Sequence, residues 1–148
     1  MTLALQIAQL VAGLEKSVPG SVTESGGNII VVKPESLFKV LSDLKTNKEW
    51  DFNYLSFMTA VDYQTYFEVV YDLISLEHNQ EVLVKTRLTD REKPVLPSVI
   101  SLWKGADFQE REIFDLFGIN FTGHPNMKRI FLWDGFQGYP LRKDFKQS

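Results

Sequence analysis

The sequence predicts an α+β fold, in which N-terminal helices pack on a mostly antiparallel sheet and are followed by a helix and an extended, loop-rich C-terminal segment. Three observations lead to this prediction. Apolar residues recur with a helical period in two stretches between residues 3 and 44, residues 54–88 alternate with period two, and the residues beyond 118 follow neither period. A chain of 148 residues, 44% hydrophobic and 24% charged, is long enough for one folded domain.

Two amphipathic helices are predicted near the beginning of the chain. The first has an apolar face made of Leu3, Ile7, Leu10, Val11 and Leu14. It ends at Val18-Pro19-Gly20 and is followed by a short buried strand at residues 28–32. The second helix begins after Pro34 and has an apolar face made of Leu37, Val40, Leu41 and Leu44.

Residues 54–63, 66–75 and 81–88 are predicted to form an antiparallel meander. In the second strand, one face carries Phe67, Val69, Tyr71 and Leu73, and the opposite face carries Glu68 and Asp72. A four-residue turn at 77–80 would place Asp72 opposite Lys85 as a pair of opposite charges. Because only one face is apolar, we expect the two helices to cover that face alone.

A third helix is predicted at residues 106–117, with Gly118 as its C-terminal cap. Glu110 falls within the apolar stripe of this helix, and a buried carboxylate needs a cation or several donors. We therefore expect Glu110 to anchor the C-terminal segment internally by holding Arg129 or Arg142. The other charges predict a helix face with salt bridges, from Asp107 to Arg111 and from Arg111 to Asp115. A general acid–base pair of Glu112 and Asp115, which lie three residues apart, is the competing interpretation.

Composition excludes several classes of function. The net charge of −3 argues against a general nucleic-acid-binding protein. The absence of cysteine excludes disulfides, thiolate zinc sites and cysteine-ligated clusters, and His78 and His124 are 46 residues apart. We expect no catalytic, cofactor-binding or metal-binding residue, and neither a secretory signal nor a membrane span.

The C-terminal segment is predicted to bind a partner. We expect an α+β domain at residues 1–120 and an extended partner-binding segment at residues 121–148. Residues 123–148 have a net charge of +3, from five basic and two acidic side chains, and they are rich in aromatic residues, which dominate interface energetics. The predicted interface consists of Arg129, Trp133, Tyr139, Pro140, Leu141, Arg142, Lys143, Asp144 and Phe145. Alternatively, these side chains complete the domain's own core, or the segment has an inward half near Arg129 and an outward half from Gly135 onward.

Three motifs in order resemble the C-subunit family of bacterial NADH–quinone oxidoreductase, which belongs to the peripheral arm of respiratory complex I. The first is Glu-Arg-Glu-Ile-Phe-Asp-Leu-Phe-Gly-Ile at residues 110–119, followed by Phe-Thr-Gly-His-Pro at 121–125. The second is Arg129-Ile130, and the third runs from Pro140 to Phe145. The positions that match the family signature are Glu110, Arg111, Glu112, Asp115, Gly118, His124 and Pro125. The family usually has proline where this chain has Lys146.

This resemblance implies a structural or assembly subunit that has no cofactor of its own. The complex would be a proton-translocating NADH:quinone oxidoreductase, with FMN, iron–sulfur clusters, NADH and quinone on other subunits. The implied partners are the quinone-site subunit and the cluster-bearing subunits, at the cytoplasmic face of the plasma membrane, and membrane association would occur only through the complex. Two alternatives remain open: the equivalent subunit of a ferredoxin-dependent quinone reductase or membrane-bound hydrogenase, and a stand-alone binding module.

Overall fold

The computed structural model describes residues 6–146, and this range contains three α-helices and seven strands. In chain order these are α1 (Ile7–Ser17), β1 (Val22–Gly26), β2 (Ile29–Val32), α2 (Leu37–Thr46), β3 (Tyr54–Asp62), β4 (Phe67–Ser75), β5 (Gln80–Leu88), β6 (Val95–Pro97), α3 (Ala106–Phe117) and β7 (Asn120–Thr122). A 3₁₀ turn at Pro34–Ser36 leads into α2. The predicted α+β class is confirmed.

The main sheet has five strands in the order β1-β2-β5-β4-β3. The antiparallel meander of β3, β4 and β5 is confirmed. The hairpin of β1 and β2 joins this meander through a parallel pairing of β2 with β5. Strands β6 and β7 form a separate parallel pair. Strands β1, β6 and β7 were not predicted, and Phe121 of β7 is buried in the core although it lies beyond the predicted domain boundary.

The hydrophobic core lies on one face of the main sheet, which we call the inner face. Alternate residues of β4 point into it and are fully buried, as predicted: Phe67, Val69, Tyr71 and Leu73. Leu10 and Leu14 of α1 and the predicted apolar face of α2 belong to the same core, as do Ala106, Ile113 and Phe117 of α3. Leu3, the first predicted member of the α1 stripe, lies outside the described residues. All three helices therefore pack on the inner face.

The register between β4 and β5 differs from the predicted one. Asp72 lies opposite Leu83 rather than Lys85. The turn occupies residues 76–79, because Ser75 pairs with Gln80, so the two strands slide by two residues relative to the prediction. The Lys85 ammonium instead lies 3.4 Å from the carboxylate of Glu68, which leaves Asp72 without that cation.

Helix α3 lies along β3, at the edge of the main sheet. The side-chain oxygen of Gln109 accepts a hydrogen bond from the backbone N–H of Met58, so the helix satisfies a donor that an edge strand leaves unpaired. The helix ends at Gly118, as predicted, with a left-handed φ of 77°. Helix α3 thereby presents one side to the core and another to the C-terminal segment.

Candidate partner-binding site

The C-terminal segment, residues 121–146 in the described part of the chain, is fastened mainly by side chains. Beyond β7 it contains no helix or strand in the described range. Its backbone groups must therefore find partners other than a regular ladder. Asp62, Arg111 and Asp115 of the body and Arg129 of the segment supply many of these partners. Arg142 fastens the segment by donating to carbonyl oxygens of the body.

Asp115 of α3 is the central attachment point. Its carboxylate is fully buried, and Oδ2 accepts hydrogen bonds from three consecutive backbone N–H groups, those of Ile130, Phe131 and Leu132, at 2.8–3.2 Å. Arg129 Nε lies 2.9 Å from Asp115 Oδ1 as an ion pair, although its N–H does not point at that oxygen. One carboxylate thus fixes the backbone of three successive residues and pairs with the side chain of the residue before them.

Arg129 fastens a second stretch of the segment. Its Nη1 donates to the carbonyl oxygen of Phe136 at 2.7 Å, and its Nη2 donates to those of Gly138 at 2.6 Å and Asp115 at 3.2 Å. The guanidinium also lies over the ring of Tyr139, 4.9 Å from its centroid. Because a guanidinium carries five donors in a rigid plane, it can bridge α3 and two separate turns of the segment at once.

Arg142 closes the far end of the segment onto the body. Its Nε donates to the carbonyl oxygen of Phe117 at 2.6 Å, and its guanidinium lies 5.0 Å from the ring centroids of both Phe67 and Tyr139. A Cβ at Gly118 would lie 2.6 Å from the Tyr139 ring, so only glycine fits beneath this ring. Arg142 therefore caps the carboxyl end of α3 and packs against the core.

Asp62, at the end of β3, holds the same end of the segment. It receives a bidentate contact from Arg91 at 2.6 and 3.0 Å, and a hydrogen bond from the backbone N–H of Lys143 at 2.7 Å. The hydrogen-bonded Arg91 guanidinium holds the pKa of the Asp62 carboxyl well below its usual range. This carboxylate stays ionised and keeps Lys143 docked over the whole physiological pH range.

The segment presents three large apolar side chains to solvent among its exposed polar ones. Trp133, Phe131 and Leu141 are 69%, 60% and 52% exposed. Trp133 packs edge-on against Phe136, which stacks on Phe145. Large apolar side chains held this far into solvent on a fixed backbone are typical of contact surfaces. We call Phe131, Trp133 and Leu141 the aromatic surface.

The prediction that Glu110 anchors the C-terminal segment is wrong. Glu110 is fully buried, as the stripe predicted, but it holds neither Arg129 nor Arg142. It accepts hydrogen bonds from Ser98 Oγ at 2.6 Å and from the backbone N–H of Val99 at 2.8 Å. Burial raises the pKa of the Glu110 carboxyl, and these two donors oppose that effect. Glu110 ties α3 to the turn after β6, whereas Asp115 anchors the segment.

Of the remaining signature residues, Arg111 and His124 also make internal contacts. Arg111 donates to the carbonyl oxygens of Lys128 and Arg129 instead of bridging Asp107 and Asp115, so the predicted salt-bridged helix face is absent from the contacts of these three residues. His124 Nε2 lies 2.9 Å from Asp107 Oδ1, and His124 Nδ1 accepts the backbone N–H of Asn126. Glu112 and Pro125 are exposed. Because Asp115 is engaged by the segment, Glu112 and Asp115 do not form an open acid–base pair.

The predicted interface residues do not divide into an inward half near Arg129 and an outward half from Gly135 onward. Arg129, Tyr139 and Arg142 face inward, and Pro140 and Phe145 are half-buried. Trp133, Leu141, Lys143 and Asp144 are exposed. Sequence reasoning missed Asp62 and Arg91, because no local pattern distinguishes them.

The described residues contain no group of three or more His, Asp or Glu side chains placed to hold a metal ion, and none of their helices is long and apolar enough to cross a membrane. A small α+β domain that uses buried charges to fix a segment whose aromatic side chains point outward is typical of proteins that act by binding other proteins. A family model described as "Respiratory-chain NADH dehydrogenase, 30 Kd subunit" matches residues 30–148, and the chain belongs to this family.

Relatives support the same assignment. The chain is 42% identical over 137 residues to the NADH-quinone oxidoreductase C-subunit of Moorella thermoacetica, with 90% of each chain covered. It is 45% identical over 120 residues to the NADH-quinone oxidoreductase C/D-subunit of Phocaeicola vulgatus, where the match covers 80% of this chain but spans only 23% of that longer relative. A chain in the structure of the membrane-bound sulfane sulfur reductase, an archaeal respiratory membrane complex, superimposes with a TM-score of 0.77 and 27% identity, covering 96% of this chain and 86% of that one.

Proposed function

We propose that this chain is a structural and assembly subunit, without a cofactor of its own, in the hydrophilic arm of a proton-translocating NADH:quinone oxidoreductase. The observation that carries the proposal is the aromatic surface, fixed in place by Asp115 and Arg129 and left uncovered by the described chain. The C-subunit relative that matches across 90% of both chains supports the choice of complex. FMN, iron–sulfur clusters, NADH and quinone would be bound by other subunits.

The proposed partners are the quinone-site subunit and the cluster-bearing subunits of the arm. Trp133 and Phe131 are side-chain types that dominate interface energetics when a partner buries them. Lys128, Lys143 and Lys146 of the same segment are exposed, so an acidic partner surface would be favoured. The proposed location is the cytoplasmic face of the plasma membrane, with attachment through the complex.

A second candidate is the equivalent subunit of a ferredoxin-dependent quinone reductase, a membrane-bound hydrogenase or a related complex. The structural similarity to a chain of the sulfane sulfur reductase favours it, because the same fold occurs in a respiratory complex with a different named activity. The identity of 27% to that chain is lower than the 42% to the C-subunit relative, so the first proposal has the stronger support. A stand-alone binding module remains the alternative from another class.

The test uses the tagged full-length chain expressed in its own host and purified with its membranes in mild detergent. We expect the other arm subunits to copurify, and the purified complex to oxidise NADH with a quinone acceptor. Oxidation of ferredoxin but not NADH would favour the second candidate. Recovery of the chain alone would contradict both complex-based proposals and favour the stand-alone module.

Trp133→Ala tests the aromatic surface within the same experiment. Because Trp133 is 69% exposed, its removal is expected to leave the melting temperature of the isolated chain within about 2 °C. The yield of assembled complex is expected to fall at least about 10-fold. The matched control is Tyr63→Ala, which truncates another exposed aromatic residue, outside residues 121–146 and with its ring against Tyr66, and which should assemble normally. Normal assembly of Trp133→Ala would show that the aromatic surface is not a contact.

A further inference from the structure

The outer face of the main sheet, opposite the core, has a second surface that the proposed interface does not use. All three helices pack on the inner face, so the outer face is lined by side chains of the strands themselves in the described part of the chain. Six of these residues lie close together where β3, β4 and β5 are paired. They are Tyr54, Phe57, Asp72, Ile74, Glu81 and Leu83, which we call the outer-face patch.

Acidic groups at the other end of the outer face are neutralised within the chain. Glu68 lies 3.4 Å from the Lys85 ammonium and 3.1 Å from the Arg87 guanidinium. Arg87 also reaches Glu24 at 2.6 Å. Both cations of β5 are therefore engaged, and neither of them contacts Asp72.

The carboxyl pair in the outer-face patch has no such cation. Asp72 is 4% exposed on β4, between β3 and β5, and its Oδ1 has no hydrogen-bond partner. Its contacts are Ser56 and the half-buried Glu81, a second acid. Burial, together with the neighbouring Glu81, raises the pKa of the Asp72 carboxyl to about 7. Two adjacent carboxyl groups and an unsatisfied oxygen are costly in a folded chain unless something else completes the site.

The surroundings of the pair resemble the centre of an interface. Phe57 lies opposite Asp72 and is 42% exposed, and Tyr54 lies opposite Ile74 and is 49% exposed. Aromatic rings beside a carboxylate favour a guanidinium or ammonium, which can contact a ring face and pair with the acid at the same time.

We propose that the outer-face patch docks a neighbouring subunit of the same complex, which places an arginine or lysine side chain on the Asp72–Glu81 pair beside the exposed rings of Tyr54 and Phe57. This inference rests on the proposed function, because it requires the chain to have a neighbouring subunit. It adds a second contact surface, on the opposite side of the sheet from the core, and it specifies the charge of the partner.

Two other occupants fit the outer-face patch less well. A divalent cation needs about six oxygen ligands, and the described residues provide no group of three acidic or histidine side chains for it. A second copy of this chain would need a free cation on the same face, but Lys85 and Arg87 are already paired with Glu68. A protein partner with a basic side chain supplies the missing charge directly.

Docking of a cation would also change the proton occupancy of the pair. Titratable side chains on the same face as Asp72 are Tyr54 of β3, Glu68 of β4, Glu81, Lys85 and Arg87 of β5, and Glu24 of β1. A cation favours the ionised carboxylate, so the partner lowers the pKa of Asp72 and releases up to one proton when the two proteins associate. Association should therefore tighten as the pH rises towards 7, by up to about 10-fold per pH unit, and level off above that pH.

The first experiment measures solvent access to Glu81 in the full-length chain, free and within the purified complex. Carboxyl groups are labelled with a carbodiimide and glycinamide and then quantified by mass spectrometry. We expect the labelling of Glu81 to fall at least about 5-fold in the complex, and that of the exposed acid Glu35 to remain unchanged. Equal labelling of Glu81 in both states would overturn the proposal.

The second experiment replaces the charge. Glu81→Lys is expected to reduce the yield of assembled complex at least about 10-fold, while Glu35→Lys has no effect. Glu81→Gln should give a smaller reduction and shift the pH dependence of association to lower pH, because Asp72 loses the neighbouring acid that helps to raise its pKa. Normal assembly of Glu81→Lys, or self-association of the isolated wild-type chain through this patch, would overturn the proposal. If no other arm protein copurifies with the wild-type chain, the proposed function has failed as well.

Discussion

Removal of the Asp115 carboxylate should release the C-terminal segment without unfolding the core. In Asp115→Ala, three backbone N–H groups lose their acceptor and Arg129 loses its ionic partner. A hydrogen bond to a charged group contributes about 1.5–3 kcal/mol, and loss of one partner of a buried ion pair costs about 3–5 kcal/mol. These contributions overlap, so we expect the free energy that holds the segment to the body to fall by about 3–4 kcal/mol.

Hydrogen exchange measured by mass spectrometry or NMR reports this quantity directly. A loss of 3–4 kcal/mol corresponds to an increase of about 10²–10³-fold in the exchange rate of the amides of Ile130, Phe131 and Leu132. Amides of β4 and β5 should keep their protection, because they belong to the core. The control is Glu112→Ala, which removes an exposed acid from the same helix. Unchanged exchange at residues 130–132, or equal loss of protection across the main sheet, would refute the reasoning.

Three further variants test other contacts by denaturant unfolding of the isolated chain. In Gly118→Ala the free energy of unfolding should fall by about 2 kcal/mol or more, since residue 118 has a φ of 77° and lies under an aromatic ring. In Gly26→Ala, where a Cβ would have open space around it, the free energy of unfolding should fall by less than about 1 kcal/mol. Arg142→Ala should lower the free energy of unfolding by about 2–3 kcal/mol. Lys143→Ala should change it by no more than about 0.5 kcal/mol, because the contact of Lys143 is made by its backbone. Equal losses in the two variants would show that Arg142 is not an anchor. Asp72→Asn should stabilise the chain progressively between pH 4 and 7, and by a constant amount above pH 7. The pKa of Asp72 is raised to about 7 in the folded chain, so the wild type loses stability between pH 4 and 7, by at most about 1.4 kcal/mol per pH unit. A stability gain in Asp72→Asn that does not depend on pH would contradict this.

The parts of the fold that could be predicted are those with a periodic signal in consecutive residues. The meander followed from strict alternation in residues 66–75 and 81–88, and the inner face of β4 was assigned correctly. Strand β1 was missed because it is an edge strand with mostly exposed, polar residues. Strands β6 and β7 contain three residues each, which is too short for periodicity to show.

The sequence indicated where the candidate site lies, but not which residues contact one another there. Aromatic and arginine content identified the segment, and the apolar stripe of α3 identified Glu110 as buried. Asp115 looked like a local partner of Arg111, because i,i+4 geometry is all that sequence spacing provides. Its observed partners lie 14–17 residues further along a segment without periodicity, so no pattern could select them. The turn between β4 and β5 was misplaced by one residue, and this changed the partner of Lys85.

The parallel pairing of β2 with β5 constrains the order in which a growing chain can fold. The hairpin of β1 and β2 is complete once residue 32 has been made, but the edge of β2 that pairs with β5 stays open until residues 83–85 follow. During synthesis, about 50 residues therefore separate an exposed strand edge from the strand that will cover it, and such edges are sites of mispairing. Helix α2, which is next to emerge, is amphipathic and would shield the apolar side of the hairpin during this interval. A ribosome pause before β5 should accordingly lower the yield of folded chain more than a pause after it.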